Sequence, residues 1–423
     1  MKVSPAFCIR PQWTLVFLFS FLGPLGNLLT PHFFPAAFRA YYFLLPLCFL
    51  FFFPLKEKSV RILSFFLPFF LYSFVSCVIV SQIGSTDEDQ TLFRFFLLLF
   101  QFLFVLGASF YLEKTQQVFS LLKVYLKAYL LSQWIGLFFF TGYYLHLVPL
   151  SFIERFSVLT QFGFGVLRLS PGSYPNEYGV VSSFALSLLF LIFLKHRLRL
   201  FSFSSFSFFL FCTTTALALF LTTTRAAFLS CFTTLLYLFY SVKKEKEKGH
   251  NTLKLTVYLS ILALSISLIT AQLRLGIFRV IKAGFCQRID QGSLGERYFT
   301  WIRSVEQAKD HPFWGTGFAS LTNIHNVYLQ LAFELGIIGC GVFLFSLLSS
   351  FLNPFLVFPP KIVDQDFDFL KKVRNIGLIH VLSFAMSNHN LNHHLTWFVL
   401  FICLSSLNLQ NKEQMIDSNQ AKI

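Results

Sequence analysis

The chain has 423 residues, of which 55% are hydrophobic, 19% aromatic and only 13% charged, about half the charged share of a soluble domain. Mean hydropathy is +0.65, and 61 phenylalanines recur in apolar blocks of about the 20 residues that a bilayer crossing needs. These figures exclude a water-soluble enzyme, a disulfide scaffold and a disordered chain. The fold class expected is all-α: a polytopic integral membrane protein with about 12 transmembrane helices and one long external loop before the tenth.

The formal net charge of +15 does not point to nucleic acid. Lys and Arg gather in short clusters between apolar blocks: Lys56 to Arg61, Lys195 to Arg199, Lys243 to Lys248, and Lys371 to Arg374. That is the pattern of cytoplasmic loops facing anionic lipid, and none is long enough for a nucleic-acid groove. The 8 cysteines are scattered, most inside apolar blocks, with Cys286 the one in a long extramembrane loop. No disulfide framework is expected.

In chain order, the expected spans are 13–30, 37–55, 62–83, 91–112, 118–140, 176–194, 201–221, 225–242, 252–271, 327–350, 376–388 and 394–410. The first follows Lys2 and Arg10 without a small-residue cleavage site, so it reads as a retained helix. The seventh and eighth divide one apolar run at Thr222-Thr223-Thr224-Arg225, a good helix start. With both termini cytoplasmic, every basic cluster falls inside, while Asp87-Glu88-Asp89 and the loops 141–175 and 272–326 fall outside. Residues 353–375 are then cytoplasmic and 411–423 form a polar tail. The whole of 1–423 reads as a single membrane domain.

Four polar places stand against the membrane's cost, all on the outer side. In the loop 272–326, Glu296 to Glu306 has helical period, with Tyr298, Trp301, Ile302 and Val305 on one face and Arg297 at its edge. Such a helix suits a membrane surface, with Arg297 directed at a headgroup. It should break at Asp310-His311-Pro312, ahead of a turn containing Gly315 and Gly317.

The second place is His325-Asn326 at the mouth of the tenth span. A histidine there can take a proton from a hydroxyl, and Asn326 with Gln330 one turn on can offer hydrogen bonds to a sugar; the plainer reading is a helix cap. Gly336 and Gly339 should allow a neighbouring helix to approach closely. Third is Arg225, behind three threonines at a helix start, a natural phosphate site. Fourth is Arg168 to Gly179, in which Asn176 after Pro175 should cap the sixth span.

Asn388 to His394 resembles a metal tract but has no acid or cysteine, so it reads as a polar outer turn and no metal is assigned. Arg39, Arg94, Lys123 and Lys127 read as snorkelling side chains near span ends. No Walker loop, dinucleotide fingerprint or nucleophile elbow is present, and no cofactor is implied.

Together the four places resemble the O-antigen ligase and O-antigen polymerase superfamily of bacterial envelopes. His325-Asn326, nine residues, then Gly336-x-x-Gly339 is similar to the ligases' His-Asn/Ser/Gln-x9-Gly-x-x-Gly pattern. Arg297-x3-Trp301 followed by His311 to Gly317 resembles the family's Arg…Trp…Pro-Leu-x-Gly-x-Gly stretch. Thr224 to Ala227 and Pro175 to Gly179 match its Ser-Arg-Gly-Ala and Pro-Asn segments. The likeness covers about 165–345, with Ala226 in place of a glycine and Thr316 in the Gly-x-Gly turn.

The resemblance implies a metal-independent, inverting glycosyl transfer at the periplasmic face of the bacterial inner membrane. The donor would be a glycan on undecaprenyl pyrophosphate. The acceptor would be lipid A–core for a ligase, a lipid-linked repeat for a polymerase, or a protein for glycosylating relatives. His325 would be the base, and Arg225, Arg297 and Arg168 would bind the pyrophosphate. Asn176, Asn326, Trp301, Gly315, Gly317, Gly336 and Gly339 would support the site. A non-catalytic transporter is the rival reading; it predicts functional charge deep inside the spans, whereas the polar residues gather at one side.

Overall fold

A computed structural model describes residues 11–29, 39–51, 66–78, 88–112, 114–153, 157–159, 167–172, 174–195, 197–198, 200–244, 293–318, 324–357, 365–386 and 393–406. The expected span 252–271, Cys286, the cluster 56–61 and the tail 411–423 lie outside them.

The described chain is mostly helical, and membrane-spanning in character. Its helices are α1 (Pro11–Leu25), α2 (Phe66–Val78), α3 (Glu88–Tyr111), α4 (Thr115–Tyr144), α5 (Leu150–Ile153), α6 (Pro175–Leu194), α7 (Ser205–Thr222), α8 (Arg225–Lys244), α9 (Ser293–Lys309), α10 (Val327–Val357), α11 (Gln365–Ala385) and α12 (His394–Ser406). Among the described residues four stretches are long and apolar enough to cross a membrane: Leu92–Tyr111, Pro175–Leu194, Ser205–Thr222 and Val327–Ser346. α1, α2 and α12 are shorter apolar helices.

Two expectations change. The second span is a 3-10 helix, Ala40–Phe51, in which Pro46 lacks the amide hydrogen that an α-helical ladder would use. The loop 141–175 holds a small antiparallel hairpin, β1 (Ser157–Leu159) with β2 (Leu167–Leu169), pairing Val158 with Arg168.

α6 is the central element. It is apolar on all sides, as a helix surrounded by others must be, and it packs on α7, α8 and α11. α1 packs on α4, and α12 closes against both: His394 lies between Phe19 of α1 and Tyr125 of α4, while Tyr125 stacks on Phe398 at 3.9 Å. His394 Nε2 donates to the Phe19 carbonyl at 3.1 Å. His393 and His394 are both buried, which corrects the polar outer turn expected there; residues 387–392 lie outside the described set. Among the described residues no cluster of His, Cys, Asp or Glu could hold a metal ion.

Candidate functional site

The site grows from the join between α7 and α8. Helix α7 ends at Thr222, Thr223 takes the left-handed conformation (φ 51°), and α8 starts at Arg225, so the division read from the hydroxyl run holds. A β-branched residue is strained in that conformation, and Arg168 clamps it. From β2 its Nε donates to the Thr222 carbonyl at 2.8 Å, and Nη2 donates to Asn176 Oδ1 at 3.0 Å and Thr224 Oγ1 at 3.1 Å. A cation on a helix's terminal carbonyl also suits the helix dipole. Thr224 Oγ1 in turn donates to the Pro175 carbonyl at 2.9 Å. The Arg168 guanidinium is thus buried and turned to protein acceptors.

Asn176 does not cap α6. Tyr174 is the N-cap and Pro175 the first helical residue, because proline's fixed φ and missing N–H suit that place. The amide of Asn176 serves Arg168 instead. One residue on, buried Glu177 pairs with Arg39 at 2.8 Å, and Arg39 also donates to the Gly172 carbonyl at 3.2 Å. Sequence reading missed this pair and took Arg39 for a snorkelling residue. The available signal was Glu177 itself, since a carboxylate in the first turn of an apolar span needs a cation beside it.

Helix α9 brings the second arginine. Arg297, Trp301 and Ser304 share its inward side; Ser304 is buried, the other two half-buried. The expected membrane-facing side is partly corrected: Tyr298, Ile302 and Val305 are exposed, whereas Trp301 turns inward with Arg297. Burial, and then the positive charge of Arg225, hold the Arg297 guanidinium below its ordinary pKa.

Trp301 joins this helix to the third part. Its indole N–H donates to the Ile324 carbonyl at 2.7 Å. The next residue, His325, has φ 54°, and Asn326 starts α10. Asn326 is a helix cap: Oδ1 accepts from the Leu329 amide at 3.0 Å, and Nδ2 donates to the Met386 carbonyl at 3.2 Å. Gln330 donates to buried Glu334 at 2.9 Å.

Gly339 admits a neighbouring helix as expected, with Tyr72 of α2 against it, but Gly336 serves another purpose. Gly336 has φ 65° and ψ −173°, and it breaks α10. The turn 311–317 fills the break. The amides of Thr316 and Gly317 donate to the carbonyls of Phe333 (2.9 Å) and Glu334 (2.8 Å), while those of Ile337 and Ile338 donate to Pro312 (3.1 Å) and Phe313 (3.3 Å). Backbone groups freed by a break within apolar surroundings cost several kcal/mol each unless paired, and here the turn pairs them. Any Cβ at Gly315 would collide with Glu334 O, and one at Gly336 would lie 2.7 Å from Gly315 N. Tyr72 of α2 completes the joint, donating to the Leu335 carbonyl at 3.0 Å, and its ring lies against Gly339.

Sequence reading also missed a buried polar group beneath the site: His380 of α11 meets Ser183 Oγ at 2.7 Å and Thr234 Oγ1 at 3.4 Å. Polar residues are therefore not confined to one side of the molecule.

Hydrogen bonds thus tie Asn176 and Arg168 to the turn before Arg225, and Trp301, on the helix of Arg297, to the residue before His325. No curated protein matches the chain. Residues 208–344, which carry Arg225, Arg297, Trp301, His325, Asn326 and both glycines of the α10 motif, match the family model described as O-antigen ligase.

Proposed function

We propose that this protein is an inner-membrane glycosyltransferase of the O-antigen ligase type. It moves a glycan from undecaprenyl pyrophosphate to an acceptor hydroxyl at the periplasmic face, with inversion and without a metal. The observation that carries this reading is the match of residues 208–344 to the O-antigen ligase model; within it lie Arg225 and Arg297, and burial first and then the charge of Arg225 hold Arg297 below its ordinary pKa. Such a pair is costly unless an anion joins it, and pyrophosphate is the anion that the donor supplies.

In the reaction, the acceptor oxygen attacks the anomeric carbon while the bond from that carbon to the pyrophosphate breaks. The leaving group departs with the electron pair, and Arg225 and Arg297 neutralise the charge that grows on it. His325 takes the acceptor's proton. Arg168 acts as a positioning residue, holding the Thr222–Thr224 turn and so the start of α8. Gly315, Gly317, Gly336 and Gly339 fix α9 and α10 relative to each other, while Asn176 and Asn326 fix the polar ends. The lipid A–core acceptor follows the His-Asn-x9-Gly-x-x-Gly pattern; a polymerase would use a lipid-linked repeat and a related enzyme a protein.

The test is a reconstituted transfer with a labelled undecaprenyl-pyrophosphate glycan, EDTA and no ATP. Label reaching added lipid A–core supports the ligase, and a ladder on the carrier without core identifies a polymerase. A donor left intact in both arms contradicts glycosyl transfer and turns attention to transport.

A further inference from the structure

Helix α9 divides into three sectors. At about 100° per residue, Arg297, Trp301 and Ser304 point one way, towards the protein. Tyr298, Ile302 and Val305 lie about 100° round from them, and all three are exposed. Arg303 and Glu306 lie further round and are exposed as well, with the exposed ring of Phe299 between them, one turn nearer the start of the helix. A helix with only two environments needs one apolar and one polar side. This one has an inward side, an outward apolar stripe and a charged side, which fits a helix touching protein, lipid and water at once.

The stripe does not end with the helix. Phe313 and Trp314 follow in the turn and are 58% and 66% exposed. Hydrogen bonds from Ile337 and Ile338 to Pro312 and Phe313 set this turn directly beside α10. There Ile337, Ile338, Leu344 and Phe345 are exposed in their turn, on a helix apolar enough to cross a membrane and with only 33% of its apolar window buried in the protein. Phe313 and Trp314 thus adjoin the exposed apolar side of α10, and four backbone hydrogen bonds join the turn to the break at Gly336.

We propose that α9 and the turn 311–317 are seated in the bilayer, with α9 lying along the headgroup layer on the side of Arg225. The stripe Tyr298-Ile302-Val305 meets the acyl chains, Phe313 and Trp314 follow deeper beside Ile337 and Ile338, and Arg303 and Glu306 stay in water. The long loop is thus a membrane-bound element rather than an aqueous one, and it presents Arg297 at headgroup height.

The experiment uses the full chain in lipid nanodiscs and compares it with Trp314→Phe, reading tryptophan emission with brominated lipid and with aqueous iodide as quenchers. Quenching by brominated lipid should fall in the variant, while quenching by iodide is unchanged. Tyr298→Trp, introduced beside Trp314→Phe, should restore the lipid-dependent part. Loss of the iodide-quenched part instead would place Trp314 in water and overturn the proposal. Emission from Trp314 that neither quencher reaches would also overturn it, since the face would then be covered by protein.

Discussion

Trp301 holds the Ile324 carbonyl through its indole N–H at 2.7 Å, and that single bond ties the helix carrying Arg297 to the residue before His325. The two groups come from different elements separated by the turn 311–317, so their relative position depends on this tie and on the docking of that turn into α10.

Replacing Trp301 by Phe keeps the ring and removes the N–H. The stability cost should be small, about 1 kcal/mol. Transfer should fall more steeply, by about 10- to 100-fold, because small misplacements of reacting groups are expensive. Thermal unfolding in detergent together with single-turnover transfer separates the two effects; equal, small losses in both would mean that the tie has no role in alignment.

The break at Gly336 gives a sharper test. Gly336→Ala and Gly315→Ala should each destabilise the protein by about 2 kcal/mol or more, since a Cβ at either meets the opposing backbone and both residues have positive φ. Gly341 is the control, with nothing within 4 Å of its added Cβ, and Gly341→Ala should be neutral. Unfolding midpoints measured side by side decide it, and equal shifts for all three would contradict the docked-turn geometry.

Parts of this arrangement were legible in the sequence and parts were not. The end of α9 before Pro312 and the division at Thr222–Arg225 follow from local chemistry, because proline and a hydroxyl run act on their own neighbours. The break at Gly336 was hidden, since a glycine inside an apolar run reads equally as a packing contact; what breaks the helix is a turn about 20 residues earlier that supplies the missing hydrogen-bond partners. Tyr72 and Arg39 were illegible for the same reason. Their partners, Leu335 and Glu177, lie 263 and 138 residues away, and no local period records such a pairing. His393 and His394 misled by composition: a polar tract suggests water, yet aromatic rings from α1 and α4 enclose His394.

Tyr72→Phe removes one donor from the joint and leaves the Leu335 carbonyl short of a partner. A loss of about 1–3 kcal/mol is expected. If the hydroxyl faces water, the variant will be indistinguishable from the parent in an unfolding curve.

Arg39 and Glu177 form a buried pair, so removing one partner should cost more than removing both. Arg39→Met or Glu177→Gln alone should cost about 3–5 kcal/mol, and the double variant less than the sum. A double-mutant cycle on thermal stability measures this, and strictly additive effects would show that the two charges do not support each other.

Arg168→Lys keeps the charge but cannot serve Thr222, Asn176 and Thr224 together. Transfer should drop by about 10-fold or more with KM for the donor little changed, as suits a residue that positions Arg225. A rise in KM with kcat intact would assign Arg168 to donor binding instead.

The most direct measurement compares the parent with Arg225→Ala, Arg297→Ala and His325→Ala in liposomes, using labelled undecaprenyl-pyrophosphate glycan and acceptor with EDTA throughout, after checking that each variant inserts at the parent's level. Transfer by the parent and its loss in all three variants is the expected result. Transfer that persists in all three, or that the parent shows only when a divalent metal is restored, would contradict the assignment of two arginines and a histidine to a metal-independent glycosyl transfer.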